Sequence, residues 1–202
     1  MKHLTVFLST KLNNIMKKII YLISCVFLTH VSWSQDLYVG SEGVVRITST
    51  AFVYANAEVS IAEGGDVTID SNASNSASFL APNTSTAIGD ITYKRYIAND
   101  DWHLVSAPVA DQNIGSFLDV SGNEVDNNGS NGNQAVAYYK NTNVAGKRWT
   151  YHNTTSATSE ENKENLTSTN FTAGQGYSMK KPTTDGGTYT FTGTMANADV
   201  SV

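Results

Sequence analysis

Beyond residue 34 the chain carries two histidines, His103 and His152, and no cysteine. His103 lies in Asp100-Asp101-Trp102-His103-Leu104-Val105-Ser106, where acid, imidazole and hydroxyl sit close enough in sequence to suggest a nucleophilic triad. The stretch alternates like a strand, and successive strand side chains leave on opposite faces, so these three cannot converge on one reacting atom. A hydrogen-bonded strand histidine is the expectation. His152 is expected at a loop or strand end, without a partner motif. Neither histidine belongs to H-E-x-x-H or to another two-histidine metal spacing. G-x-S-x-G is missing, Gly115-Ser116 supplying only a part of it, and the phosphate-binding G-x-x-x-x-G-K-[ST] is missing too. No catalytic and no cofactor-binding residue is assigned, and the chain is not read as an enzyme.

Two patterns point to binding. Asp119 to Ser130 is dense in hard oxygen donors, and calcium takes six to eight of them. Asp119, Asp126 and Asn128 are the candidate calcium ligands. Counted from Asp126, however, the sixth position is Asn131 and the glycine falls one place late at Gly132, so the EF-hand order is not met. A solvated loop is the preferred reading, with calcium the one cofactor considered. The second pattern is aromatic: Trp102, Trp149, Tyr138, Tyr139, Tyr151 and Tyr177. Rings of this kind stack on sugar faces, but they also fill cores. Trp102 and Trp149 are expected in the core. Of Tyr138-Tyr139, alternation must expose one, so the glycan candidates are Tyr138, Tyr139 and Trp149. The N-x-[ST] sequons at Asn72, Asn83, Asn153 and Asn165 follow from an Asn-, Ser- and Thr-rich composition.

The elements that must position these residues read as β almost throughout. From residue 35 on no window shows a clean i, i+3, i+4, i+7 apolar stripe. Short runs of Val, Ile, Thr, Tyr and Phe recur between Gly, Asn, Asp and Ser instead. In residues 37–69, Val39, Val53 and Val67 are spaced 14 apart, as are Val45 and Val59, each inside a short apolar pulse. Pulses so short bury little alone, and stacking them as rungs gives a shared column. Residues 70–88 read as a low-complexity, solvated bridge. From Ile91 the strands are longer and more widely spread, as in a sandwich or jelly roll. Asp119 to Gln134 looks disordered, and Glu160 to Asn165 is the one stretch with helical propensity. The predicted fold is therefore all-β: a short β-solenoid or meander over 35–88, then a β-sandwich or jelly-roll-like domain over 89–202. That domain is expected to be incomplete at its C-terminal end, where Met195 to Val202 reads as the start of another strand.

Composition limits the function classes. The chain has 202 residues, 40% hydrophobic and only 15% charged. That excludes a coiled coil and a charge-driven disordered tail, and a net charge of −5 argues against nucleic acid as a partner. Met16-Lys17-Lys18, the ten-residue apolar run Ile19 to Leu28, and the small pair Ser32 and Ser34 make a secretory signal over residues 1–34, with cleavage before Gln35. Residues 1–15 are read as lying upstream of the true start at Met16. The apolar run is too short to span a bilayer, which takes about 20 residues, and no transmembrane segment is expected in the mature chain. Leu22-Ile23-Ser24-Cys25 offers a rival, a lipobox with Cys25 lipidated; an ordinary signal core is preferred. Residues 1–34 hold four of the 13 basic residues and none of the 18 acids, so the mature chain has nine bases and a net charge of −9.

Five stretches then resemble one family of proteins. They are Gly89 to Tyr96, Trp102 to Val109, Ile114 to Phe117, Phe171 to Tyr177 and Phe191 to Thr194. Together they are similar to modules of large exported surface proteins of Bacteroidetes, carried out by the type IX secretion system. The resemblance covers roughly residues 35–202 and implies a secreted or outer-surface location, a modular build, and a C-terminal sorting domain for the export machinery that these residues lack. It transfers no site residue. The leading expectation is a non-enzymatic, exported cell-surface module, adhesin-like or structural, whose partner is an extracellular glycan or surface matrix. The alternatives are a glycan-binding module and the non-catalytic N-terminal part of a larger exported hydrolase.

Overall fold

The computed structural model describes residues 36–56, 58–81, 89–154, 162–165 and 168–195. The signal segment, its cleavage junction, Cys25, residues 82–88 of the expected bridge and the strand start expected after Met195 lie outside the described residues. Among the described residues no helix is long and apolar enough to cross a membrane.

The chain is all-β. Its first six strands are β1 (Leu37–Val39), β2 (Val44–Ile47), β3 (Phe52–Tyr54), β4 (Val59–Ile61), β5 (Asp66–Ile69) and β6 (Ser78–Leu80). They form two stacked turns of three strands, β1 pairing with β4, β2 with β5 and β3 with β6, all in parallel. Leu37 lies beside Val59 and Val44 beside Asp66, so the stacking repeat is 22 residues, not the 14 of the valine spacing. The valine pulses are successive sides of one turn, and the true repeat includes three sides and their corners. Val39, Ile47, Val59, Ile61, Val67 and Ile69 are all buried. Glycine permits the corners to stack: Gly64 sits at φ +82°, and a Cβ there would come 2.6 Å from the carbonyl oxygen of Ser41 on the turn below.

The third side has an offset of 26, Phe52 lying beside Ser78. The extra residues form a built turn at the start of the expected bridge. Asn72 Oδ1 accepts the backbone N–H of Ser74 and Asn75, at 2.9 Å each, and Ser71 bridges to Ser76. Side-chain-to-backbone bonds of this type let Asn hold a turn that its polarity alone makes look solvated.

Next come β7 (Asp90–Ile97), β8 (Trp102–Ser106), β9 (Val109–Ala110) and a five-residue helix α1 (Ile114–Leu118). They are followed by β10 (Asn127–Asn128), β11 (Asn133–Tyr139), β12 (Trp149–Asn153), β13 (Lys163–Asn165), β14 (Gly176–Lys180) and β15 (Gly187–Met195). One sheet runs β2-β5-β7-β15-β9 and the other β13-β12-β11-β14-β8, with β10 alongside β11. The stack and the sandwich-like part share the first of these sheets, because β5 pairs in parallel with β7.

Two local expectations are corrected. The helical propensity at 160–165 yields no helix among its described residues: Lys163–Asn165 is strand β13, in parallel register with Tyr151–Asn153. The helix is instead α1, which has too few residues to show a period. It is fixed by Asn113, whose Oδ1 accepts the Ser116 N–H at 3.0 Å, and by complete burial of Ile114 and Phe117. Phe117 contacts Phe171, Tyr189 and Phe191, with centroids 5.2, 5.7 and 4.8 Å away, and Phe171 reaches Tyr177 on the opposite sheet at 5.0 Å. This aromatic cluster joins the two sheets.

The stretch from Asp119 to Gln134 is also anchored. Asn123 is fully buried; its side-chain amide donates to the carbonyls of Phe117 and Thr190, and its Oδ1 accepts the Thr190 N–H at 2.7 Å. Lys181 donates to the carbonyl of Gly122 and stands 3.8 Å over the Tyr189 ring. Satisfied buried amides, invisible in composition, replace the expected disorder.

Candidate ligand-binding face

Residues paired across neighbouring strands put their side chains on one face of a sheet. On the second sheet one such row is Tyr151, Ala137, Ser178 and Leu104, and Trp149 pairs with Tyr139 beside it. The opposite side of these strands carries Val136, Tyr177, Met179 and His152, all buried. The outward side therefore bears aromatic residues around a floor of small ones. Trp102 is 50% exposed, Trp149 41% and Tyr139 50%. The expectation that Trp102 and Trp149 fill the core is overturned: β8 and β12 turn Val105 and His152 inward, and alternation then sends both indoles out.

The three glycan candidates divide. Tyr139 and Trp149 meet edge to face, centroids 5.5 Å apart, with the Arg148 guanidinium donating to the Tyr139 hydroxyl at 3.1 Å. Tyr138 faces the other way. It is partly buried against Tyr177 and His152 and donates its hydroxyl hydrogen to Glu164. Burial and the Glu164 carboxylate both push its phenol upward, so it stays protonated.

Trp102 and Tyr151 were not assigned to the site, yet they organise it. They start from strands with β11 and β14 between them, but their rings meet at 6.4 Å, nearly perpendicular. The pair divides the face into two compartments. One, of ≈ 270 Å³, lies over Ala137 and Ser178 with Trp149 as its far wall. The other, of ≈ 330 Å³, is lined by Asp126, Asn127, Asn133, Gln134 and Ala135. The side-chain polar groups of Trp102, Trp149, Tyr151, Ser178, Asn127 and Gln134 make no hydrogen bond to another described residue. The period-two pattern of Trp149-Thr150-Tyr151 was the available signal for Tyr151.

Of the three calcium candidates Asp126 lines the polar compartment. Asp126 gives its carboxylate to Lys180 Nζ at 2.9 Å and to the Asn127 N–H, and the Lys180 bond holds it below the usual carboxylate range. Asp119 caps α1 through its backbone N–H, and Asn128 lies in β10 opposite Asn133. Among the described residues no three His, Cys, Asp or Glu side chains gather into a metal-holding group.

His103 Nε2 bonds to Asn99 Oδ1 at 2.8 Å, its partner being an amide rather than a carboxylate. His152 stands next to last in β12, as its strand-end reading expects, but its partners come from other strands. It is fully buried in β12, its Nδ1 lies 3.0 Å from the Val136 carbonyl, and its Nε2 is 3.9 Å from Glu164. A carbonyl partner assigns the proton to Nδ1. Burial lowers the affinity of His152 for a second proton, against the opposing pull of Val136 and Glu164.

A larger cavity, ≈ 610 Å³, lies on the outer face of the other sheet, where Arg46 and Lys94 flank Asp70. Beside it on the same face Thr68, Thr92 and Thr192 align in register. The groups of this face are mutually engaged. Burial works to raise the Asp70 carboxyl, but the hydrogen bonds and charges of Arg46 and Lys94 outweigh it and hold it low. Thr68 donates to Asp66, Thr194 to Asp90 and Asn72 to Ser49. Volume alone favours this cavity; unengaged donors and exposed rings favour the aromatic face.

Comparison with protein families, with curated proteins and with solved structures found no match.

Proposed function

We propose that the chain is an exported, non-enzymatic surface module that binds glycan on the outer face of the β13-β12-β11-β14-β8 sheet. The observation that carries the reading is the Trp102–Tyr151 pair, standing exposed over a floor of Ala137 and Ser178 with Trp149 beside it. An exposed indole or phenol offers an apolar face and a polar tip, which suits a ligand with apolar ring faces and hydroxyl rims. A narrow trough with unengaged donors fits a sugar chain better than the broad, close-packed core of a protein interface does. Export rests on the signal pattern of residues 1–34, and the low charge and Asn/Thr richness agree with a surface setting.

The test is titration of the purified chain with a panel of soluble polysaccharides, followed by tryptophan fluorescence, with pull-down on insoluble ones. Saturable binding that is lost in Trp102→Ala and Trp149→Ala, both of which retain the native melting curve, is expected. Absence of binding across the panel, or native binding by both variants, sinks the reading.

A further inference from the structure

Resting on the glycan reading, the geometry points to an uncharged polysaccharide: a chain of at least two sugar units that straddles the Trp102–Tyr151 pair, with acidic polymers rejected at the amide compartment. The two compartments share Trp102 and Tyr151 as a common wall. Each has about the volume at the lower end of small-ligand sites, roughly 300 Å³, so each holds one unit and the rings between them contact both.

The compartments differ in chemistry. Over Ala137 and Ser178 the lining is mostly apolar: the rings of Trp102, Trp149 and Tyr151 with the hydroxyl of Ser178. The other compartment presents the uncharged amides of Asn127 and Gln134, which can both donate to and accept from hydroxyl or acetamido groups. Its charge is negative. Asp126 lies in its wall, bonded to Lys180, and Lys180 pairs in register with Trp102, which Asp100 and Asp101 directly precede. Along this edge three carboxylates thus accompany the Lys180 ammonium. At the far end Arg148 is positive, but it is engaged with Tyr139 beyond the Trp149 wall. A polymer with a carboxylate or sulfate on every unit cannot keep its charges out of the amide compartment. A neutral chain, or one carrying acetamido groups, meets no such repulsion.

The experiment compares neutral glucan, xylan, mannan and N-acetylated oligosaccharides with a polyuronate and a sulfated polysaccharide, at low and high salt. Expected are salt-insensitive binding of at least one neutral ligand and binding of the acidic polymers weaker by roughly tenfold or more at low salt, with the gap closing at high salt. Asp100→Asn and Asp101→Asn are each expected to strengthen polyuronate binding severalfold and to leave neutral binding unchanged, because neither residue lines a compartment. Tight binding of a monosaccharide with no gain for a disaccharide overturns the two-unit arrangement. Preference for an acidic polymer, or indifference to both aspartate variants, overturns the charge selection while leaving the glycan reading standing. Failure of every sugar overturns the glycan reading itself.

Discussion

The two outer faces of the sandwich are built from the same alternation and end in opposite states. On β5, β7 and β15 the outward residues are threonines and charged groups, and they largely satisfy one another: Arg46 and Lys94 on Asp70, Thr68 on Asp66, Thr194 on Asp90. On β12, β11, β14 and β8 they are indoles, phenols and small residues; Tyr139 accepts from Arg148, while the polar tips of Trp102, Trp149, Tyr151 and Ser178 bond no other described residue. The larger cavity belongs to the first face. The contrast separates unspent hydrogen-bonding capacity and exposed ring area, which favour the proposed face, from volume, which favours the other. A self-satisfied polar face offers a partner little that water does not already supply.

The comparison breaks most severely at the core that both faces share. Phe117→Ala removes the ring that packs on Phe171, Tyr189 and Phe191, and a cost of about 3–5 kcal/mol is expected, both sheets unfolding together in denaturant. Separate transitions for the two sheets would show that the faces are independent units. Next in size is Asn123→Ala, which strands two carbonyls and the Thr190 N–H. A loss of about 2–3 kcal/mol is expected by chemical denaturation, with glycan affinity unchanged, because the contacts lie behind β15.

Proton linkage separates the faces further. His152, beneath the aromatic face, has its folded-state pKa depressed below 6.5. The unfolded chain then binds the proton better, so stability is full above 6.5 and is lost as pH falls from there toward the folded value. Asp70, on the threonine face, is depressed below 3.8; its contribution is present above that value and is lost as pH falls further, through the folded value. Melting temperature against pH should fall in two steps, the upper one removed by His152→Gln and the lower by Asp70→Asn. A single shared step would contradict the assignment. The smallest effect belongs to the threonine row. The double variant Thr92→Val and Thr192→Val should stay within about 0.5 kcal/mol of native stability and bind every polysaccharide as native does. Loss of binding there would move the site to the other face.

How far the sequence reached follows from what kind of contact each feature needs. Period-two alternation revealed the strands and the all-β class, since a strand writes its two faces directly into residue order. It could not say which face of β8 or β12 was inward, because Trp102 and Trp149 suit either side; partners distant in sequence, Phe171 and Met179 among them, made that choice. The stack was legible as a stack but not in its register, for the repeat is set by how the corners stack, Gly64 against Ser41 among them, and not by the valine spacing. The Asp119–Gln134 stretch looked disordered because the anchors Asn123 and Lys181 act through single bonds to Phe117, Thr190 and Gly122. Of the candidate face, alternation could say that one of Tyr138 and Tyr139 points outward but not which, and that Trp102 and Tyr151 meet followed only from the pairing of β11, β12, β14 and β8.

The parallel stack has a consequence for length. Each of its turns contacts only its neighbours, and only the second passes into the sandwich, through β5 and β7. A further 22-residue unit copied from Leu37 to Glu58 would therefore add its own rung, roughly 4.8 Å in height, without asking the sandwich to repack. The segment behaves as an extensible post, whose reach is set by the number of turns.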